Sequence, residues 1–224
     1  MLLKLINKRT EAKDTISFYF TTEDKIIWQP GQYLVIKINE IEKEFTIASS
    51  PTEEFIQITI RMRELSTFKN LLNNLEINSE VEANGPFGSF VLPTINSSLL
   101  TINYFLAGGI GITPFRSMIK YNIDRKVGIK MHLIYSNSDS DFVFKEELDK
   151  WQKEYDYIKV YYHDSSTSGH LNRSNLAELL IVNSSLLTNY WIVGPNAFVN
   201  SMEDILEELN IPTDNINTEK FTGY

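Results

Sequence analysis

The sequence contains no cysteine. This absence excludes disulfides, thiolate zinc sites and cysteine-held iron–sulfur clusters within these 224 residues. It also fits a reducing compartment, and we expect a cytoplasmic protein. The three histidines do not have the spacing of metal ligands, so no metal site is predicted.

Long hydrophobic runs and an excess of positive charge are also missing. No stretch approaches the ~18 apolar residues of a membrane span, and the first nine residues lack the apolar core of a signal peptide. The net charge of −8 argues against nucleic acid as the main partner, and against a strongly acidic protein unless a local basic patch exists. Hydrophobic residues make up 42% of the chain, which is typical of a globular protein with one large domain or two small ones.

The first half consists of short β-rich runs separated by turn signals. Strict alternation of apolar and polar residues over 55–61 is the clearest example. Such a series of strands predicts an all-β barrel or sandwich. One helix interrupts it, with Ser66 as the expected N-cap and an apolar stripe that includes Phe68 and Leu72. Its N-terminus is a second candidate anion site.

The second half changes to an alternation of strands and helices, which predicts a parallel sheet covered on both faces. Ligands bind beyond the carboxyl ends of such strands. We therefore expect the loops 107–114, 136–141 and 194–196 to line one crevice, and we interpret residues 165–169 as a flexible loop. The short polar segment 94–98 predicts a boundary between domains 1–97 and 98–224.

A glycine turn follows the first strand of this second half. Thr113 is a good N-cap and Pro114 suits the first helical position, so a helix is predicted to begin there with free N–H groups. An apolar stripe at helical spacing follows, formed by Phe115, Met118, Ile119 and Ile123. Those groups and the helix dipole favour a pyrophosphate. However, Pro114 stands where G-x-G-x-x-G requires glycine, and no acid lies about twenty residues beyond. This stretch alone fits an ordinary glycine turn equally well.

Several motifs in order resemble those of the ferredoxin–NADP reductase superfamily of flavoproteins. Residues 30–33 are similar to its P-G-Q-aromatic turn, and residues 43–50 (KEFTIASS) to its flavin-binding R-x-Y-[ST] strand. Residues 85–90 (GPFGSF) are predicted to form a glycine-rich turn and match the family's G-P-x-G-x-F turn. Residues 109–114 (GIGITP) match the family's own pyrophosphate loop, and the resemblance extends over nearly the whole chain.

The resemblance implies an N-terminal antiparallel β-barrel that binds FAD, followed by a Rossmann-like α/β domain with a parallel sheet that binds NADH or NADPH. The implied reaction is hydride transfer from the nicotinamide to flavin N5, then electron release to a separate acceptor such as ferredoxin or flavodoxin. Two alternatives stay open. One is a reductase of free flavin or quinone, and the other is a non-catalytic subunit that keeps the fold.

The resemblance also assigns individual residues. Phe45 would pack on the isoalloxazine, Thr46 would hydrogen-bond near N5, and Lys43 would pair with the flavin phosphate where the family has Arg. Because Lys lacks the bidentate fork of Arg, the tightness of flavin binding and the preference for FAD over FMN stay open. The implied catalytic residues are Thr46 and Tyr224, the latter stacking where nicotinamide enters. The further implied cofactor-binding residues are Ile47, Ala48, Ser49, Ile60, Ser66, Thr67, Gly85, Gly88, Gly109, Gly111, Ile112, Thr113, Pro114, Ser136, Asn137, Gly194 and Pro195.

The loop 136–141 should decide between the two nucleotides. It contains Asp139 and Asp141 but no Arg to hold a 2′-phosphate. Two acids repel a phosphate and accept hydrogen bonds from a free ribose, so NADH is favoured. Arg173 or Lys145 could still reach this loop.

Overall fold

The computed structural model describes residues 1–63, 65–92, 101–180 and 187–221. Its contacts divide the chain into two compact units. The first unit comprises Met1–Leu92 together with Thr113–Asp124, and the rest of the described chain forms the second. A helix encoded in the second half of the sequence is thus part of the first unit. The boundary predicted near residue 97 lies outside the described residues.

The first unit is built on a six-stranded antiparallel sheet in the order β4-β3-β6-β1-β2-β5. A bridge between Ile47 and Ile58 joins its two edges, which closes the sheet as the predicted barrel. Alternate apolar residues point inward and form the core with Phe68 and Leu72 of the helix that follows β5. The elements are β1 (Leu2–Ala12), β2 (Thr15–Thr21), β3 (Tyr33–Ile38), β4 (Ile41–Thr46), β5 (Ile56–Arg61), α1 (Thr67–Asn73) and β6 (Glu80–Phe87).

The second unit contains a five-stranded parallel sheet in the order β11-β10-β7-β8-β9. The strands run through a continuous apolar core, because a parallel sheet is covered on both faces. The strand order reverses between β7 and β10, which is the switch point where ligands bind in such sheets. The elements are β7 (Ile102–Gly108), α2 (Ile112–Asp124), β8 (Lys130–Asn137), α3 (Lys145–Glu154), β9 (Ile158–Asp164), α4 (Ser165–Ser168), α5 (Arg173–Leu179), β10 (Thr188–Pro195), α6 (Asn196–Glu208) and β11 (Ile216–Phe221).

Three local predictions need correction. Helix α2 begins at Ile112 rather than after Thr113, because a 3₁₀ turn over Gly109–Gly111 runs directly into it. Pro114 is therefore the third helical residue, where its missing N–H still costs nothing. Strand β6 continues through Phe87, so half of the predicted turn 85–90 is strand. Residues 165–168 form the short helix α4, capped by Asp164, rather than a flexible loop.

The apolar stripe predicted for α2 is confirmed. Phe115, Met118, Ile119 and Ile123 are all buried. No helix in the described part of the chain is long and apolar enough to cross a bilayer.

Candidate functional site

The glycine turn after β7 is shaped by close backbone contacts within the second unit. A Cβ atom on Gly111 would lie 2.3 Å from the carbonyl oxygen of Val193, and one on Gly108 would lie 2.7 Å from the ring of Phe198. Gly109 has a φ of 54°, a conformation that glycine adopts readily. Each glycine is therefore required for a different reason. Gly108 was not among the predicted cofactor-binding residues, although its place directly before Gly109 was a signal in the sequence.

The end of β10 completes this arrangement. A Cβ atom on Gly194 would lie 3.1 Å from the Cα of Gly108, so the ends of β7 and β10 approach each other through glycine alone. Pro195 is exposed and directly precedes α6. Ile112 and Thr113 are buried at the start of α2. The turn therefore leaves backbone rather than side chains at the switch point of the sheet.

The loop after β8 lies beside the glycine turn. The amide oxygen of Asn137 is 3.9 Å from the Cβ position of Gly109, and Ser136 pairs with Gly108 in the sheet register. Asp139 stabilises the loop internally, since its Oδ1 accepts hydrogen bonds from Asn137 Nδ2 (2.9 Å) and from the N–H of Asp141 (3.0 Å). The three loops predicted to meet at the carboxyl edge of this sheet do so.

The charges at this edge are negative. Asp164, at the end of β9, lies in register with Asn137. Hydrogen bonds from the hydroxyl and the N–H of Ser166 lower the pKa of Asp164, which is therefore ionised at neutral pH. The two cations considered for this loop have acidic partners elsewhere. Lys145 pairs with Asp149 at 2.6 Å, and Arg173 lies 3.9 Å from Glu208.

Strand β4 carries the predicted flavin residues of the first unit. The ring of Phe45 is half-buried and stacks on Phe68 of α1, with centroids 5.5 Å apart. The hydroxyl of Thr46 makes no hydrogen bond within the part of the chain that the structure describes. Lys43 is exposed two residues before Phe45. Over residues 43–46 the strand therefore carries a cation, an aromatic ring that packs on Phe68, and a hydroxyl group. This set of groups fits a flavin and its phosphate.

The residues that follow Thr46 are buried. Residues 47–50, which we call the strand tail, are essentially inaccessible, as is Ile60 on β5. The hydroxyl of Ser49 accepts the N–H of Gln57 at 2.9 Å. The N–H groups of Ile47 and Ala48 also donate to carbonyl groups within the barrel, so the predicted roles of Ile47, Ala48 and Ser49 in cofactor binding stay predictions.

The start of α1 is capped as expected. The hydroxyl of Ser66 accepts the N–H of Lys69 at 3.4 Å, and Thr67 is exposed. Burial, together with the nearby charges of Arg63 and Arg61, lowers the pKa of Lys69, whose Nζ donates to the carbonyl of Arg61 at 2.8 Å. Positive charge is thus concentrated around the start of this helix.

Two of the family-like turns interlock. The side chain of Gln32 donates to the carbonyl of Gly88 at 3.2 Å, and a Cβ on Gly88 would lie 3.1 Å from the ring of Tyr33. A Cβ on Gly85 would lie 2.9 Å from the side chain of Leu34. Gly85 and Gly88 therefore serve packing within the barrel, and the contacts of Gly88 with Gln32 and Tyr33 join the two motifs. A direct role of Gly85 and Gly88 in cofactor binding stays a prediction.

Sequence reasoning missed a set of contacts around Arg116 and Ser117 of α2, which hold the strand tail. No local signal indicated them, because their partners lie more than 60 residues away in sequence. Tyr224, which is predicted to stack where nicotinamide enters, lies outside the described residues.

Comparison with known families covers most of the chain. The model of the oxidoreductase FAD-binding domain matches residues 2–92, and the model of the oxidoreductase NAD-binding domain matches residues 105–204. The two matches fall on the barrel and on the part that carries the glycine turn. They give the chain an FAD site and a nicotinamide nucleotide site.

Individual relatives agree with these models. The chain is 25% identical to flavohemoprotein A of Dictyostelium discoideum over 96% of its own length and 58% of the relative's. It is 25% identical to a glycine betaine monooxygenase reductase subunit of Pseudomonas aeruginosa over 92% of its length and 60% of the relative's. The chain therefore spans somewhat less than two thirds of these curated relatives.

Solved structures support the same fold. The ferredoxin–NADP⁺ reductase of Plasmodium falciparum superposes with a TM-score of 0.84 at 18% identity, covering 98% of this chain and 95% of that one. An Amycolatopsis cytochrome P450 reductase gives a TM-score of 0.86 at 17% identity, covering 100% of this chain and 70% of that one. With the two domain matches and the glycine-lined switch point, these similarities identify the chain as an oxidoreductase FAD-binding domain joined to an oxidoreductase NAD-binding domain, with the ferredoxin–NADP reductase-like fold.

Proposed function

We propose that this chain is a reductase module that takes electrons from NADH and passes them through FAD to a separate acceptor, such as an iron–sulfur protein or a flavodoxin. FAD supplies the chemistry, since it accepts two electrons from a nicotinamide and releases them singly. The meeting of three loops at the glycine-lined edge of the parallel sheet carries the proposal. Relatives named as a reductase subunit and as flavohemoproteins support transfer to a further redox partner.

The residues of β4 would hold and orient the flavin. Phe45, backed by Phe68, offers an apolar ring surface, and Thr46 offers a hydroxyl donor beside it. Lys43 would meet the phosphate as a point charge. On the nucleotide side, the backbone of Gly109–Gly111 and the start of α2 would receive the pyrophosphate, because Gly109 and Gly111 carry no side chain and the start of a helix is the positive end of its dipole.

The preference for NADH follows from the charges near β8 and β9. Asp139 and the ionised Asp164 would repel a 2′-phosphate, whereas their free oxygens would accept hydrogen bonds from ribose hydroxyls. Lys145 and Arg173 have acidic partners of their own, which removes two cations from consideration for this role.

The direct test is the visible spectrum of the purified protein, reconstituted with FAD, before and after anaerobic addition of each nucleotide. We expect a flavin band that NADH bleaches faster than NADPH. A protein that binds FAD but is reduced by neither nucleotide would contradict the proposal, and faster reduction by NADPH would contradict only the preference.

The nucleotide preference has its own test. Ser138→Arg places a cation on an exposed loop position beside Asp139, and we expect the ratio of kcat/KM for NADH to that for NADPH to fall about ten-fold. Thr213→Arg is the matched control, since it adds the same charge at an exposed position before β11, at the opposite edge of the sheet. An unchanged ratio in Ser138→Arg would show that this loop does not meet the ribose.

A second candidate, reduction of free flavin, is favoured by the exposed Lys43 in place of Arg. It requires flavin to exchange during turnover. An FAD Kd in the micromolar range, with saturation of the rate by added flavin, would favour this activity. Flavin that stays bound through gel filtration would favour transfer to a separate acceptor.

A further inference from the structure

Arg116 of helix α2 contacts the strand tail and also forms a buried ion pair beside it. The guanidinium of Arg116 donates to both carboxylate oxygens of Glu53, at 2.8 and 3.1 Å, and to the carbonyl oxygen of Ala48 at 3.0 Å. Arg116 is 3% exposed and the Glu53 side chain 11% exposed. All three residues belong to the first unit. A buried bidentate pair of this kind has little freedom to shift.

The next residue along the helix adds a second contact. The hydroxyl of Ser117 donates to the carbonyl of Ser49 at 2.6 Å, and this carbonyl also receives the indole N–H of Trp28 at 3.5 Å. Glu53 turns back on the tail as well, since its Oε2 accepts the N–H of Ser50 at 2.7 Å. Two consecutive side chains of α2 thus fix two consecutive carbonyls of the tail.

The opposite edge of the tail is held by the barrel. The N–H of Ile47 donates to the main-chain carbonyl of Gln32 at 2.9 Å, and the N–H of Ala48 donates to the main-chain carbonyl of Gln57 at 2.8 Å. The sheet therefore fixes where the tail begins, and Arg116 with Ser117 fixes how far it extends towards α2. The tail continues β4 directly after Thr46, so a displacement of the tail displaces the backbone of Thr46.

We propose that Arg116 is a positioning residue for the flavin, acting through the carbonyl of Ala48 and the carboxylate of Glu53. This inference rests on the proposed placement of flavin against Phe45 and Thr46. Rates of transfer depend steeply on such placement, since an error of about 1 Å can lower a rate about 100-fold. Arg116 meets the cofactor only through the main chain that it holds.

The geometry requires arginine. Three hydrogen bonds leave the guanidinium towards two different acceptor groups, and its planar fork matches the carboxylate. Lysine keeps the positive charge beside Glu53 but cannot span both acceptors in the same plane. Arg116→Lys therefore separates the positioning of the tail from the neutralisation of a buried carboxylate.

The experiment compares Arg116→Lys with two control variants. Phe18→Leu reduces packing in the barrel core at a residue that is fully buried and distant in sequence from the tail. Lys150→Met removes one partner of an exposed ion pair on α3. For each protein we measure the FAD Kd, the visible circular dichroism of the bound flavin at saturating FAD, and kcat and KM for NADH under the same conditions.

We expect Arg116→Lys to raise the FAD Kd about ten-fold, to alter the flavin dichroism, and to lower kcat at least ten-fold while KM for NADH stays within two-fold. Phe18→Leu should unfold at lower urea concentration yet keep the wild-type dichroism and kcat. The proposal is overturned if Arg116→Lys behaves as wild type, or if Phe18→Leu reproduces its losses. Failure of the proposed function is distinguishable, because the wild-type protein itself would then show no reduction by nucleotide.

Discussion

Replacement of Gly111 by alanine tests whether space at the glycine turn controls nucleotide binding. The added Cβ would lie 2.3 Å from the Val193 carbonyl oxygen and 2.7 Å from its carbon, both in the backbone of β10. Ordinary contact for a Cβ begins near 3.4 Å, so the turn must move by about 1 Å away from the strand. The backbone of Gly111 does not have a positive φ, so the strain in this variant comes from crowding alone.

A movement of this size has two expected effects. Overpacking costs about 1–3 kcal/mol of stability, and a misplacement of about 1 Å can lower activity about 100-fold. We therefore expect Gly111→Ala to lower kcat/KM for NADH by one to two orders of magnitude, about 1.4 kcal/mol for each ten-fold. Anaerobic stopped-flow bleaching of the flavin across a range of NADH concentrations measures it, and the FAD Kd should be unchanged. Gly111→Glu, which adds bulk and charge, should abolish nucleotide binding with flavin still bound.

The matched control is Gly128→Ala. Gly128 has a φ of 77° but no atom within 4 Å of its Cβ position, so the same substitution introduces backbone strain without crowding. It should lower the free energy of unfolding by about 1 kcal/mol and leave nucleotide kinetics unchanged. Wild-type kinetics in Gly111→Ala would refute the argument that close approach of β7 and β10 shapes the nucleotide site.

Three further predictions concern strand β4, the barrel and the end of α2. Lys43→Arg supplies a bidentate fork for a phosphate and should lower the FAD Kd several-fold by titration calorimetry. Burial and the carboxylate of Glu11 raise the pKa of Tyr19 to about 12, above the value of about 10 in unfolded chains. The unfolded state loses this proton first, so the free energy of unfolding, measured by urea denaturation, should fall as pH rises from about 10 to 12. This fall should be smaller in Tyr19→Phe. Lys126 adopts a φ of 54° just after α2 ends at Asp124. Lys126→Gly should therefore raise the free energy of unfolding by up to about 1 kcal/mol, which is measured as a higher urea midpoint.

The fold was predictable because its signals are local. Alternation over β5 and the helical spacing of Phe115, Met118 and Ile119 each require only neighbouring residues, and the structure confirms both. The change from successive strands to alternating strands and helices after the barrel predicted the parallel sheet for the same reason. The glycine turn was located correctly, although its helix begins earlier than expected because the 3₁₀ turn and α2 are continuous.

The contacts that hold the candidate site together were not predictable in this way. Arg116 and Glu53 are separated by 63 positions, and either residue alone is an ordinary charge on a helix or in a turn. The crowding at Gly111 depends on Val193, which only the sheet register brings near. Propensity and periodicity act over one or two turns of chain, whereas these contacts depend on how distant elements pack.

Helix α2 shows that the order of residues in the sequence and their grouping in space differ in this protein. Its residues follow the glycine turn, yet Thr113–Asp124 group with the barrel. A fragment that ends at the predicted boundary at residue 97 would keep Glu53 but lack Arg116 and Ser117. Breaking a buried ion pair by removing one partner costs about 3–5 kcal/mol, a large share of the 5–15 kcal/mol that stabilises a typical domain. The barrel therefore depends on a helix from the second half of the chain, and the residues that hold the tail of β4 include two that lie beyond any barrel fragment defined by sequence alone.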